Sequence, residues 1–175
     1  VAAEEQEYAK QLETAAAALL EANPPAGEGY TVEELAAIVR VSSGGPDRAG
    51  TPLALYALTG EPASDFGLLM AMEYLCQQCG IESEPVNGSD GLWLIVATPE
   101  GYRHLLPREL YPGGAGEGEP GEEPRALRLY TDQELTGLGL EWNAALHPAC
   151  EEFDAAKSIA PLHDAETDSG AAVFW

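Results

Sequence analysis

Few residues in this chain have side chains suited to chemistry, and their spacing narrows what they can do. The chain holds Cys76, Cys79 and Cys150, and its histidines are His104, His147 and His163. Cys76 and Cys79 have the C-x-x-C spacing of redox and zinc sites. Both fall inside an apolar helical stretch with no second pair and no nearby His, whereas a zinc site needs about four ligands. They are expected to be small core residues. A disulfide from Cys150 to one of them stays open, and the cysteines do not make a disulfide scaffold. Asp65 and His104 are a carboxylate and an imidazole of the kind that run acid–base hydrolysis when they face each other. No third group or nucleophile is visible beside them. His147 and His163 fall in expected loops and read as surface residues. The Asp90 and Glu100 turns lack the regular oxygen spacing of a Ca²⁺ loop and read as solvated turns. No metal and no cofactor is expected.

The elements that must position these residues are legible in the apolar pattern. Tyr8, Leu12, Ala15, Ala16, Leu19 and Leu20 recur at helical spacing over residues 4–22, and Pro24-Pro25 ends that helix. Thr31-Val-Glu-Glu34 is a capping box opening a short helix through Val39, with Leu35, Ile38 and Val39 inward. Residues 42–50 read as a loop. Thr51-Pro52 reads as an N-cap followed by Pro at the first helical position, starting a helix to Leu58 that Gly60 closes. A central helix over 65–79 carries the apolar stripe Leu68, Leu69, Met72, Leu75, Cys76 and Cys79, with Gly80 as its cap. Ser64 or Asp65 caps its other end; for Asp65 this structural role outweighs a catalytic one. Strands are expected near 82–87, 92–98 and 102–106, divided by Asn87-Gly-Ser-Asp-Gly91 and Pro99-Glu-Gly101. His104 and Leu106 then share one strand face. Trp93 is expected to anchor the core, and His104 to be a partly exposed sheet residue. The acidic Gly/Pro tract 112–124 reads as a mobile loop. A strand over 126–131, a helix over 132–139 and an apolar end, Ala-Val-Phe-Trp175, complete the chain.

Composition bounds the function classes. Eight basic against 30 acidic residues give a net charge of −22 over 175 residues. Nucleic-acid binding needs a cationic face that displaces counterions, so it is excluded as an expectation. An anionic membrane surface repels such a chain. No apolar run approaches the about 20 residues of a membrane span. Basic peptides, polycations or divalent metals remain compatible with the charge, which otherwise favours a soluble monomer. One domain is expected over residues 1–175, with a helical N-terminal region (1–60), a core (61–150) and a tail (151–175). The start at Val1 reads as a processed chain or a cut piece of one.

The spacing from 64 to 107 resembles the core of the transglutaminase-like superfamily, which has a papain-like fold. The marks are Gly67, Gly80-Ile81, Val86-Asn87-Gly88, Trp93, Tyr102 and Pro107. Further on, Thr131-Asp132, Trp142 and His147-Pro148-Ala-Cys150 resemble the end of bacterial members, so the likeness spans about residues 52–150. It implies an α+β fold with N-terminal helices and a central helix packed on a small antiparallel sheet. The family's Cys, His and Asp positions fall here on Asp65, Gly91 and Leu106. That mechanism needs a thiolate at a helix N-terminus, an imidazole base and an orienting carboxylate. None of the three is present at its place. The resemblance therefore implies a catalytically inactive member, a binding or scaffolding module for a peptide, protein or glycan at a bacterial cell surface. Its cleft would be lined by Asp65, Phe66, Trp93 and His104. Two other readings stand beside it: a hydrolase of altered chemistry using Asp65 and His104, and a purely structural segment whose cleft is filled, for instance by Leu106 and Phe66.

Overall fold

The computed structural model describes residues 2–43, 54–112 and 126–151. Helices come first: α1 (Ala2–Ala22), α2 (Val32–Ser42), α3 (Ala54–Ala57) and the central α4 (Asp65–Gln78). A three-stranded antiparallel sheet follows, β1 (Ser83–Gly88), β2 (Gly91–Thr98) and β3 (Gly101–Leu105), in the order β1-β2-β3. A 3₁₀ turn (Pro107–Leu110), helix α5 (Asp132–Gly137) and a second 3₁₀ turn (Ala144–Leu146) complete the described chain. The fold is α+β.

Local chemistry explains the boundaries. Thr31 accepts from the Glu34 amide while the Glu34 carboxylate accepts from the Thr31 amide, the expected capping box of α2. Ser64, not Asp65, caps α4: its hydroxyl accepts from the Gly67 amide at 3.3 Å. Asp65 is the first helical residue, and its carboxylate turns outward to accept from the Tyr111 hydroxyl at 2.8 Å. At the other end Gly80 takes φ +72°, the Ile81 amide donates to the Cys76 carbonyl at 2.8 Å and the Gly80 amide to Gln77 at 3.3 Å. This is a Schellman closure, and its left-handed residue explains the glycine.

The sheet is covered on both faces, and strand alternation decides what each face meets. Leu94, Val96 and Leu105 pack with Leu68, Leu69, Met72 and Leu75 of α4 in the larger core. Val86, Trp93, Ile95 and Leu106 belong to a second cluster with Tyr130, Leu135 and Cys150. The register sets Trp93 opposite Val86 and His104 opposite Ile95. A Cβ at Gly88 would lie 2.0 Å from the Trp93 ring, so only glycine lets the indole lie across β1.

Four expectations need correction. The strand at 126–131 is a single bridge, in which the His104 and Tyr130 amides and carbonyls exchange bonds at 2.8 and 3.0 Å. Beyond it β3 gives way to Pro107, which has no amide to continue a ladder. Helix α5 stops at Gly137, two residues early, and Gly139 takes φ +85°. His104 is fully buried rather than partly exposed, because the 130–150 segment covers its face of the sheet. His147 likewise is only 14% exposed and is bonded to Glu84. All three cysteines described are free thiols. Most of the 42–50 loop, the Thr51-Pro52 helix start, nearly all of the 112–124 tract, His163 and the tail from residue 152 lie outside the described residues.

Candidate functional site

A cavity of about 310 Å³ opens where the start of α4 meets one end of the sheet. Asp65, Trp93, Leu106 and Tyr111 line it, with Asp90 and Leu92 on either side of Gly91. Arg108 and, from the segment after α5, Leu138 and Leu140 close the rim. The walls are therefore mixed, with carboxylates and a guanidinium set among leucines and aromatic rings. This is the low end of the volume range of ligand sites, about 300–1,000 Å³. Gly91 is exposed and takes φ +110°, a conformation that strains any L side chain, so a histidine is disfavoured there by the hairpin itself. Phe66 is 48% exposed and lies outside this lining.

Behind Trp93 lies a polar relay that runs from the buried Trp93 and His104 to a partly exposed Asp132. The Trp93 Nε1–H donates to His104 Nδ1 at 3.1 Å, and His104 Nε2 lies 2.7 Å from Asp132 Oδ1. The Asp132 Oδ2 accepts from the Cys150 amide at 3.2 Å, and the Asp132 amide donates to the Cys150 carbonyl at 2.7 Å. An indole N–H only donates, so Nδ1 must carry a lone pair and the proton sits on Nε2, donated to the carboxylate. His104 is thus held as the neutral Nε2–H tautomer. Burial pushes its pKa below the ordinary 6.5, against the opposing pull of Asp132. Burial, aided by the Asp132 charge, pushes the Cys150 thiol up to about 12. Trp142 packs edge-on against His104 with centroids 4.7 Å apart.

His104, Asp132 and Cys150 offer ligand atoms within 4.8 Å of one another, and two chemistries have to be tested against that. A Cys–His–Asp nucleophile needs the imidazole between thiol and carboxylate. Here the carboxylate stands between, bonded to His104 on one oxygen and to the Cys150 backbone on the other. A protonated, buried thiol with no imidazole acceptor is inert. A metal would need the Nε2 lone pair, with Nδ1–H donated outward to an acceptor. Nδ1 instead faces the indole donor, so the donor set does not fit a metal ion.

The structure therefore separates the residues singled out by sequence. Asp65, Leu106 and Trp93 share the cavity. His104 does not pair with Asp65: it faces the Trp93 side of the sheet, while Asp65 begins the helix packed on the other. Its carboxylate partner is Asp132, and that of Tyr111 is Asp65. Cys76, fully buried in the α4 core with its thiol pushed up to about 12 by burial, reaches neither site. Asp132 was visible in sequence only within the family-like Thr-Asp stretch. The Thr131-x-x-Glu134 capping box could have placed it at a helix start, but nothing local joins it to His104.

No family model matches this chain, and neither does a curated protein or a solved structure.

Proposed function

We propose that the chain is a catalytically inactive, transglutaminase-like domain that serves as a binding or scaffolding module, with the cavity at Asp65, Trp93 and Leu106 as its ligand site. The ligand is a short peptide or glycan segment, met at a bacterial cell surface. One observation carries this reading: an open cavity of about 310 Å³ lies between Asp65 and Leu106, and neither a thiol nor an imidazole is among its described lining residues. The ligand class and the surface setting come from the family resemblance. The purely structural alternative expects a filled cleft, and the open space beside Asp90 and Leu92 weighs against it. The Asp65–His104 hydrolase needs two groups that are engaged elsewhere, one with Tyr111 and the other with Trp93 and Asp132.

The test is a titration of peptide and oligosaccharide panels followed by ¹H–¹⁵N NMR, alongside amide and ester hydrolysis assays. Shifts at Asp90, Leu92, Trp93 and Leu106 are expected, lost when Leu106→Trp fills the cavity. Turnover that disappears with Asp65→Asn would overturn the reading in favour of an enzyme. Binding that maps elsewhere would move the site.

A further inference from the structure

We infer that His104 is a proton-operated latch, which in its neutral form ties the sheet to the 130–150 segment and on protonation releases both that segment and Trp93. Which atoms can donate decides the outcome. The relay runs from β2 through β3 to the start of α5 and on to residue 150, as Trp93 Nε1–H to His104 Nδ1, His104 Nε2–H to Asp132, and Cys150 N–H to Asp132. Each bond has one workable direction while His104 is neutral. An added proton goes to Nδ1, and two N–H groups then face each other across 3.1 Å. The indole has no acceptor to offer in exchange. Rotating the imidazole away from Trp93 sacrifices the 2.7 Å bond to Asp132. With His104 fully buried, no solvent stands in for either partner.

The charges around the ring do not rescue the protonated form. Asp132 favours it. His147 is near enough to add unfavourable charge but is itself bonded to the Glu84 carboxylate, the Cys150 thiol is neutral, and among the described residues the uncharged rings of Trp93 and Trp142 pack against the imidazole. Within β3, Arg103 points to the backbone carbonyls of Tyr102 and Glu151. Protonation therefore captures an opened arrangement instead of being absorbed in place, as in other histidine switches.

The consequence reaches the cavity because Trp93 and the Leu138–Leu140 stretch are among its walls. That acid alters ligand binding rests on the function proposed above; the latch itself does not, and is read without any ligand.

Long-range ¹H–¹⁵N NMR of wild-type protein reports the His104 tautomer and its titration directly. We expect the Nε2–H tautomer at neutral pH, a midpoint below 6.5 and, over the same interval, a shift of the Trp93 indole N–H together with loss of hydrogen-exchange protection at the Tyr130 and Cys150 amides. His104→Gln keeps an acceptor for Trp93 and a donor for Asp132 but cannot titrate. It should hold the closed state and abolish the coupled step, whereas His147→Gln should keep it. An Nδ1–H tautomer, a midpoint at or above 6.5, or a step that persists in His104→Gln would overturn the latch. Should His104→Gln fail to fold, the wild-type tautomer and midpoint decide. A coupled step without any ligand bound at either pH would leave the latch standing and sink the binding function.

Discussion

The two faces of the sheet are built on different principles. Toward α4, Leu94, Val96 and Leu105 meet Leu68, Leu69, Met72 and Leu75 in an apolar contact. Toward the 130–150 segment, Trp93, His104, Asp132 and Cys150 form a chain of directed hydrogen bonds inside an aromatic shell. Apolar packing is non-directional and tolerates small rearrangements. A polar relay demands that every donor meet an acceptor, and its loss leaves a buried group unpaired. The first face secures the fold; the second makes the position of the covering segment depend on one protonation state. Pocket and relay meet at Trp93, the one side chain that belongs to both.

The contrast can be broken by mutation, beginning at the α4 face. Leu94→Ala removes a fully buried side chain from the larger core and should cost about 2–5 kcal/mol in denaturant unfolding, independent of pH between neutrality and mild acid. A pH-dependent loss there would erase the distinction between the faces. His104→Ala should cost less at neutral pH, about 1–3 kcal/mol, from an orphaned indole N–H and a carboxylate without its donor. Its cost should also vary with pH. The folded pKa of His104 lies below its unfolded 6.5, so the unfolded chain takes up the proton first. The stabilisation is thus fully present above 6.5 and is lost as pH falls toward the lowered folded value. Unfolding curves of wild type and His104→Ala should converge on acidification; parallel curves would show that His104 is a passive filler. The smallest effect belongs to the exposed pair at the cavity mouth. Tyr111→Phe frees the Asp65 carboxylate and should change stability by less than about 0.5 kcal/mol. A larger loss would mean that Asp65 supports the fold rather than merely lining the cavity.

How much of this was legible in sequence varied with the range of the interaction. The stripe of α4, the Thr31–Glu34 box and the three strands lie in the structure within a residue or two of where the pattern sets them. Each depends on groups within a few positions of one another. The strand after the 112–124 tract shrank to one bridge at Tyr130, because β pairing depends on a partner edge and β3 ends at Leu105. Alternation correctly set His104 and Leu106 on one face but carried no word of what covers that face. Asp132 lies 28 positions beyond His104 and Cys150 a further 18 beyond Asp132, and no periodicity spans such gaps.

By itself, then, the sequence determined the helices, the hairpins and the identities at Asp65, Gly91 and Leu106, because caps, turns and residue types are local properties. It also set the strong acidity that argues against nucleic acid as a partner. Only the tertiary structure decided that His104 is buried, that its carboxylate is Asp132 and not Asp65, and that a cavity stays open beside Trp93. The reason is physical: a side chain's protonation state and reactivity follow from the atoms that exclude water from it, and those come from distant stretches of the chain.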